Sequence, residues 1–126
     1  MIKLLASANQ EAFDKSVAHI KALPKRSMAF NGKKGTCVYS HRHGGCAIGG
    51  PLLTAEDAEI CDGQDSTSIF SLVRAHVVDA GDLDVELLSR LQGAHDDSFN
   101  WSERSFHAFD VLRTIGHEFG LDVSKV

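Results

Sequence analysis

Apolar residues along the chain recur mainly at helical intervals, interrupted by one stretch of strand-like character. Phe13, Val17 and Ile20 fall on one face of a 3.6-residue period, with Glu11, Asp14, Lys15 and Lys21 between them. Ser7-Ala-Asn-Gln10 ahead of them has capping-box spacing. This predicts a first helix over residues 8–22, stopped by Pro24. Ser27 to Phe30 then alternates weakly, and Asn31-Gly32 is the turn pair most favoured in hairpins because both residues tolerate positive φ. Cys37-Val-Tyr39 is β-prone, Arg42 to Gly45 reads as a turn, and Cys46-Ala-Ile48 reads as a returning strand. That order would set Cys37 and Cys46 close together on neighbouring strands.

After Gly49-Gly50-Pro51 the period is helical again. Thr54-Ala-Glu-Asp57 marks a helix start. Ile69, Leu72, Val73, His76 and Val77 form one stripe that Gly81 ends, and Leu87, Leu88, Leu91, Ala94 and His95 form another. A last helix is expected between Ser102 as N-cap and Gly120, with Ala108, Leu112, Ile115 and Phe119 facing inward. Phe106 falls off that stripe and shares a sector with Asp110, Arg113 and His117, as a packing contact or an exposed aromatic anchor. The expected fold class is α+β and mainly helical, with four to five helices and a small antiparallel β-hairpin or three-stranded meander. At 126 residues and 43% hydrophobic content, residues 1–126 make a single domain with a real core.

No run of residues approaches the roughly 20 apolar positions of a membrane span. The opening Met-Ile-Lys-Leu-Leu-Ala-Ser-Ala turns polar too soon for a signal peptide, so a cytoplasmic protein of a bacterial host is expected. An odd count of three cysteines argues for reduced thiols or metal ligands rather than a disulfide framework. Cys61 reads as a small buried hydrophobe. The net charge of −4 conceals a division. Residues 1–42 carry eight Lys and Arg against two Asp and Glu, whereas residues 43–126 carry five against fifteen. Fields of one sign steer association with surfaces of the other, unless folding interleaves the two sets.

Candidate chemistry concentrates between Thr36 and Gly49. Thiolate and imidazole are the ligands that tetrahedral zinc prefers, so Cys37, His41, His43 and Cys46 are candidate zinc ligands. Their spacing departs from a zinc knuckle, which takes two ligands from each of two short turns. Cross-strand structural cysteines with surface histidines are the alternative. Gly44-Gly45 and Gly49-Gly50 match no phosphate loop, because the Lys-Ser/Thr pair is missing. His117-Glu118 fails as a zinc-protease helix motif, since the position four after His117 is Leu121. His76 and His95 sit on apolar stripes and read as core histidines. Asp96-Asp97, at the end of a helix, sits unfavourably with the helix dipole.

The order Cys37-Val-Tyr39, a polar turn, Cys46-Ala-Ile-Gly49, then Leu87-Leu-Ser-Arg-Leu-Gln-Gly-Ala-His-Asp96 and a helix ending Glu118-Phe-Gly-Leu121 resembles a group of small uncharacterised phage and prophage proteins. The resemblance implies a mobile-element origin and a compact α-rich fold, and it brings no reaction or catalytic residue. His41 and His43 are extra to the group's pattern, so no metal site carries over from it.

With no catalytic motif, the expectation is a small noncatalytic phage-type accessory protein that binds and modulates a host or defence protein, an anti-CRISPR-like inhibitor among the options. Asp57, Glu59, Asp62, Asp65, Asp79, Asp82, Asp84, Glu86, Asp96 and Asp97, with Phe106, are the candidate contacts. One alternative is a nucleic-acid-binding module using Lys21 to Arg42, with zinc ordering its loop. Another is an enzyme whose site is assembled in space, in a pocket joining His76, His95 or His117 to Cys61 or an acid. The oligomeric state is left open by the sequence.

Overall fold

In the computed structural model, residues 1–23, 28–31, 34–96 and 108–126 are described. Helix α1 spans Asn9–Ala22 and buries Ala12, Phe13, Ser16, Val17 and Ile20. The capping box does not close through Ser7: the N-cap residue is Ala8, without a side-chain bond, and the Ser7 N–H donates instead to the Glu11 carboxylate at 2.8 Å. Strands β2 (Met28–Asn31) and β3 (Lys34–Cys37) pair antiparallel, with Met28 opposite Cys37 and Asn31 opposite Lys34. Pro24 and Gly32 lie outside the described residues.

Among the described residues the three-stranded meander is not formed. Cys46-Ala-Ile48 is a series of turns rather than a returning strand, with the Gly50 N–H donating to the Cys46 carbonyl and the Leu52 N–H to the Ile48 carbonyl. Those two bonds turn the backbone back on itself instead of leaving it extended, and Cys46, Ala47 and Ile48 are each 0% exposed. Cys46 and Ile48 pack into one core cluster and Ala47 into the other. Cys37 and Cys46 are accordingly not ladder partners.

Helix α2 (Ala55–Asp62) begins where Thr54 accepts the Asp57 N–H. Helix α3 is shorter than its stripe, Ile69–Arg74. It ends because His76 adopts φ 59°, so that the Val77 N–H reaches the Leu72 carbonyl and the His76 N–H the Val73 carbonyl. This is a Schellman closure with histidine in the place glycine usually holds. Val78–Asp79 then forms β4, parallel to β1 (Ile2–Lys3), a second small sheet absent from the sequence pattern. His76 is exposed rather than in the core.

Helix α4 spans Val85–Asp96, and the Asp84 carboxylate caps it by accepting the Glu86 and Leu87 N–H groups. Helix α5 is Ala108–Glu118 among the described residues, and its expected N-cap Ser102 lies outside them. Gly120 at φ 67° closes it, the Leu121 N–H donating to the Gly116 carbonyl. The core has two clusters that meet along α1 and α4. Phe13, Val17, Ile20, Leu87, Leu91, Ala94, Leu112 and Ile115 fill the one between α1, α4 and α5. Tyr39, Cys46, Ile48, Leu52, Leu53, Cys61, Ile69, Leu72 and Leu88 fill the other. Among the described residues no helix is long and apolar enough to cross a membrane.

Candidate metal centre

Helix α4 carries two faces of different character. Leu87, Leu88, Leu91, Ala94 and His95 are buried. Ser89, Gln92, Gly93 and Asp96, at intervals of three and four, line a pocket of about 370 Å³. Cys37 and Tyr39 enter the same pocket from the end of β3, and Thr67, Ser68 and Ile69 from the start of α3. Where the two faces of α4 meet, at its C-terminal turn, the chain brings together three different donor atoms. The Cys37 sulfur, a His95 ring nitrogen and an Asp96 carboxylate oxygen all lie within 4.8 Å of one another.

The cluster is cross-braced. His95, 0% exposed, has its Nδ1 at 2.6 Å from Asp96 Oδ1, and the Cys37 thiol points to the Asp96 backbone carbonyl at 3.9 Å. A carboxylate in the last turn of a helix faces the negative end of the dipole, an arrangement unfavourable by about 0.3–1 kcal/mol. The His95 imidazole gives Asp96 a local partner that offsets it. No family model, no curated protein and no solved structure matches this chain. Whatever chemistry the cluster performs therefore has to be read from its own atoms.

The two other cysteines are built differently from Cys37. Burial pushes the Cys46 thiol up to about 12, against bonds from the Gly49 and Ile48 amides and the Gln92 side chain that favour the thiolate. Burial, with Asp62 and Asp57 nearby, pushes Cys61 up to about 11. Burial thus makes both harder to ionise, as a metal ligand or a nucleophile must be. Cys37 is half-buried and opens on the pocket. Burial likewise raises the Tyr39 phenol, whose hydroxyl donates to the Thr67 carbonyl at 2.6 Å. Beside it, the Gln92 amide bonds the Cys46 sulfur, while Gln92 Oε1 is buried without a hydrogen-bond partner.

Of the ligand set expected from the sequence, only Cys37 belongs to this cluster. His41 donates from Nε2 to the Gly49 carbonyl at 2.6 Å, and His43 is exposed in a short 3-10 turn, His41–His43. Cys46 is sealed in the core with its sulfur accepting the Gly49 N–H. His95 and Asp96 take the remaining places, 58 and 59 residues beyond Cys37, a separation that no local spacing rule can register.

The candidate acidic contacts divide in the same way. Asp62 accepts the Tyr39 and Ser40 N–H groups, and Glu59 accepts the Ser40 hydroxyl and pairs with Arg42. Asp84 caps α4 and Asp79 accepts the Gly81 N–H. These four carboxylates are engaged within the fold, as is Asp96. Asp57 is half-buried in the first turn of α2, and Asp65, Asp82 and Glu86 are exposed. Asp97 and Phe106 lie outside the described residues. Among the early basic residues, Lys15 donates to the Leu5 carbonyl, and Lys21 donates to the Lys125 carbonyl over the Phe109 ring.

Proposed function

We propose that this protein holds a divalent transition metal of the zinc class on Cys37, His95 and Asp96, with one coordination position facing the neighbouring pocket. The observation that carries the reading is the convergence of a sulfur, an imidazole nitrogen and a carboxylate oxygen within 4.8 Å. Thiolate, imidazole and carboxylate together suit zinc, and zinc sites with three protein ligands are those that keep a position open for water or a ligand. With bond lengths near 2.0–2.3 Å, tetrahedral donors stand about 3.5 Å apart. Thiolate, imidazole and carboxylate bind a metal only in their deprotonated forms, so affinity falls as the pH is lowered.

Cobalt(II) titration of the full chain tests this, since a cobalt–thiolate bond gives a charge-transfer band. The band is expected in the wild type and in His43→Ala, and lost in Cys37→Ser. Asp96→Asn should weaken binding at least tenfold, the scale on which even outer-shell partners act. A band unaffected by Asp96→Asn and abolished by His43→Ala would instead support the ligand set read from local spacing.

A second reading accompanies the first. The exposed carboxylates Asp65, Asp82 and Glu86 favour an accessory role of the phage type, in which the protein binds a basic groove on a host or defence protein. Exchanging all three for Asn or Gln should lower the association rate and flatten its salt dependence. Unchanged kinetics would remove the acidic surface from the interaction.

A further inference from the structure

We propose that the pocket beside the metal cluster takes a small aromatic monocarboxylate, whose carboxylate occupies the open metal position and whose ring lies flat against the backbone of α4 at Gly93. The inference rests on the metal-binding reading and names the class of ligand for that site. Gly93 carries it. Among the described residues two α-helical positions are glycine, Gly93 in α4 and Gly116 in α5. At Gly116 an added Cβ would stand 2.4 Å from the Val123 side chain, so the close approach of the C-terminal segment requires glycine there. At Gly93 a Cβ would meet nothing within 4 Å among the described residues, and no positive φ asks for glycine. Inside a helix glycine is the poorest residue after proline, because it gives up the most backbone freedom on folding. Packing and backbone geometry thus both leave room for a side chain where one would strengthen the helix.

What the missing side chain leaves open is the pocket. Gly93 lines it, four residues after Ser89 and three before Asp96, on the face of α4 that the pocket meets. Helix rise sets Gly93 about 4.5 Å along the axis before Asp96, a step that one six-membered ring on a metal-bound carboxylate covers. Backbone without a Cβ offers a flat wall, and Ile69, from the start of α3, gives the same pocket an apolar side chain. A planar ring meets such a wall with its whole face, whereas a puckered ring touches it at a few atoms. At about 370 Å³ the pocket is at the small end of the range for ligand sites, which limits the ligand to about one ring. Charge limits its head group. No Lys or Arg is among the residues lining the pocket, so the metal ion is the one cation there to meet a ligand. That suits a single carboxylate, whereas a phosphate or dicarboxylate would bring a further charge without a partner.

The test uses three monocarboxylates on the cobalt-loaded protein: benzoate, with a flat ring, cyclohexanecarboxylate, with a puckered one, and acetate, with none. The visible cobalt spectrum reports binding of each, and thermal melting reports the stability of the metal-free chain. Benzoate is expected to bind at least tenfold more tightly than either of the others. Gly93→Ala should raise the melting temperature by about 2–6 °C, as alanine in place of a helix-interior glycine does. The same variant should weaken benzoate binding at least tenfold and leave acetate within about twofold. A merely structural role for Gly93 would move stability and binding in the same direction. Equal affinity for benzoate and cyclohexanecarboxylate in the wild type overturns the proposal, as does benzoate binding unchanged by Gly93→Ala or a lowered melting temperature in that variant. Cobalt binding without a response to any of the three overturns this inference and leaves the metal site standing, whereas failure to bind cobalt removes both.

Discussion

The two halves of the core are held by different kinds of force. Between α1, α4 and α5 the contacts are almost wholly aliphatic and aromatic: Phe13, Val17, Ile20, Leu87, Leu91, Leu112 and Ile115 meet as stripes on regular helices. Their backbone groups are satisfied within each helix, so packing alone decides the fit. Around residues 39–50 the backbone is irregular, and its polar groups find side-chain partners. Asp62 takes the Tyr39 and Ser40 N–H groups, His19 donates to Gly45, His41 to Gly49, and the buried Ser16 hydroxyl to Ala47. The first half should respond to substitution in proportion to the volume lost. The second rests on single directional bonds and on close approaches of backbone to backbone, and should respond all at once.

Paired substitutions break this comparison at its strongest point. A Cβ at Gly49 would stand 2.3 Å from the Tyr39 carbonyl oxygen and 2.5 Å from its Cα, atoms that cannot turn aside. Gly49→Ala is therefore expected to cost more than about 4 kcal/mol or to abolish folding, an outcome reserved for a few severe mechanisms. Leu112→Ala in the helical half removes far more volume from a site that can partly collapse, and about 2–5 kcal/mol is expected. Urea unfolding of both variants checks the ranking. A milder effect for Gly49→Ala than for Leu112→Ala would mean that the loop half yields where the structure has it rigid.

One step down in size, Asp62→Asn sharpens the contrast without any change of volume. The two carboxylate oxygens accept different N–H groups, at 2.8 and 3.0 Å. An amide offers one oxygen and turns its own NH2 toward the other donor, leaving a half-buried N–H unpaired at a cost of about 1–3 kcal/mol. The readout is urea unfolding, joined by amide exchange at Tyr39 and Ser40, which should quicken while exchange in α4 and α5 does not. Uniform quickening would show that the two halves unfold as one unit.

The same division separates what the sequence reveals from what it hides. Helix α4 is legible because Leu87, Leu88, Leu91, Ala94 and His95 repeat at the helical period, and α5 because its stripe runs to Gly120. The α3 boundary is not, because a non-glycine residue, His76, takes the left-handed conformation that stops it. Two-residue strands such as β4 carry no period at all and depend on Ile2 arriving from the far end of the chain. For the candidate site, Cys37 is visible as a thiol in a β-prone segment. His95 looks like an ordinary core residue, and that reading of its burial is sound. What the pattern cannot carry is the second neighbour, since the juxtaposition of Cys37 with His95 and Asp96 exists only once the end of β3 has met the C-terminal turn of α4. The dipole misfit at Asp96 is the single local trace of it.

The smallest expected effect comes from proton binding at the seam between the halves. His19 lies on α1 with its ring against Gly50, where an added Cβ would stand 2.1 Å from Nε2. Its pKa is lowered from 6.5 by burial first, then by the neighbouring His95 and His41, against a hydrogen bond to the Gly45 carbonyl that favours the cation. A histidine whose pKa is lower in the folded state binds fewer protons there than in the unfolded chain. Its contribution is therefore complete above pH 6.5 and is lost as the pH falls through 6.5 toward the lower folded value. His19→Gln keeps a donor for Gly45 but does not titrate. Unfolding free energies of the wild type and the variant, measured between pH 7.5 and 5 as flagged by the reference value of about 6.5, should diverge in slope only in the lower part of that range, with the wild type the steeper. Parallel slopes would move the proton-sensitive contact away from His19, and the loop would then be held to α1 by packing, as the helical half is.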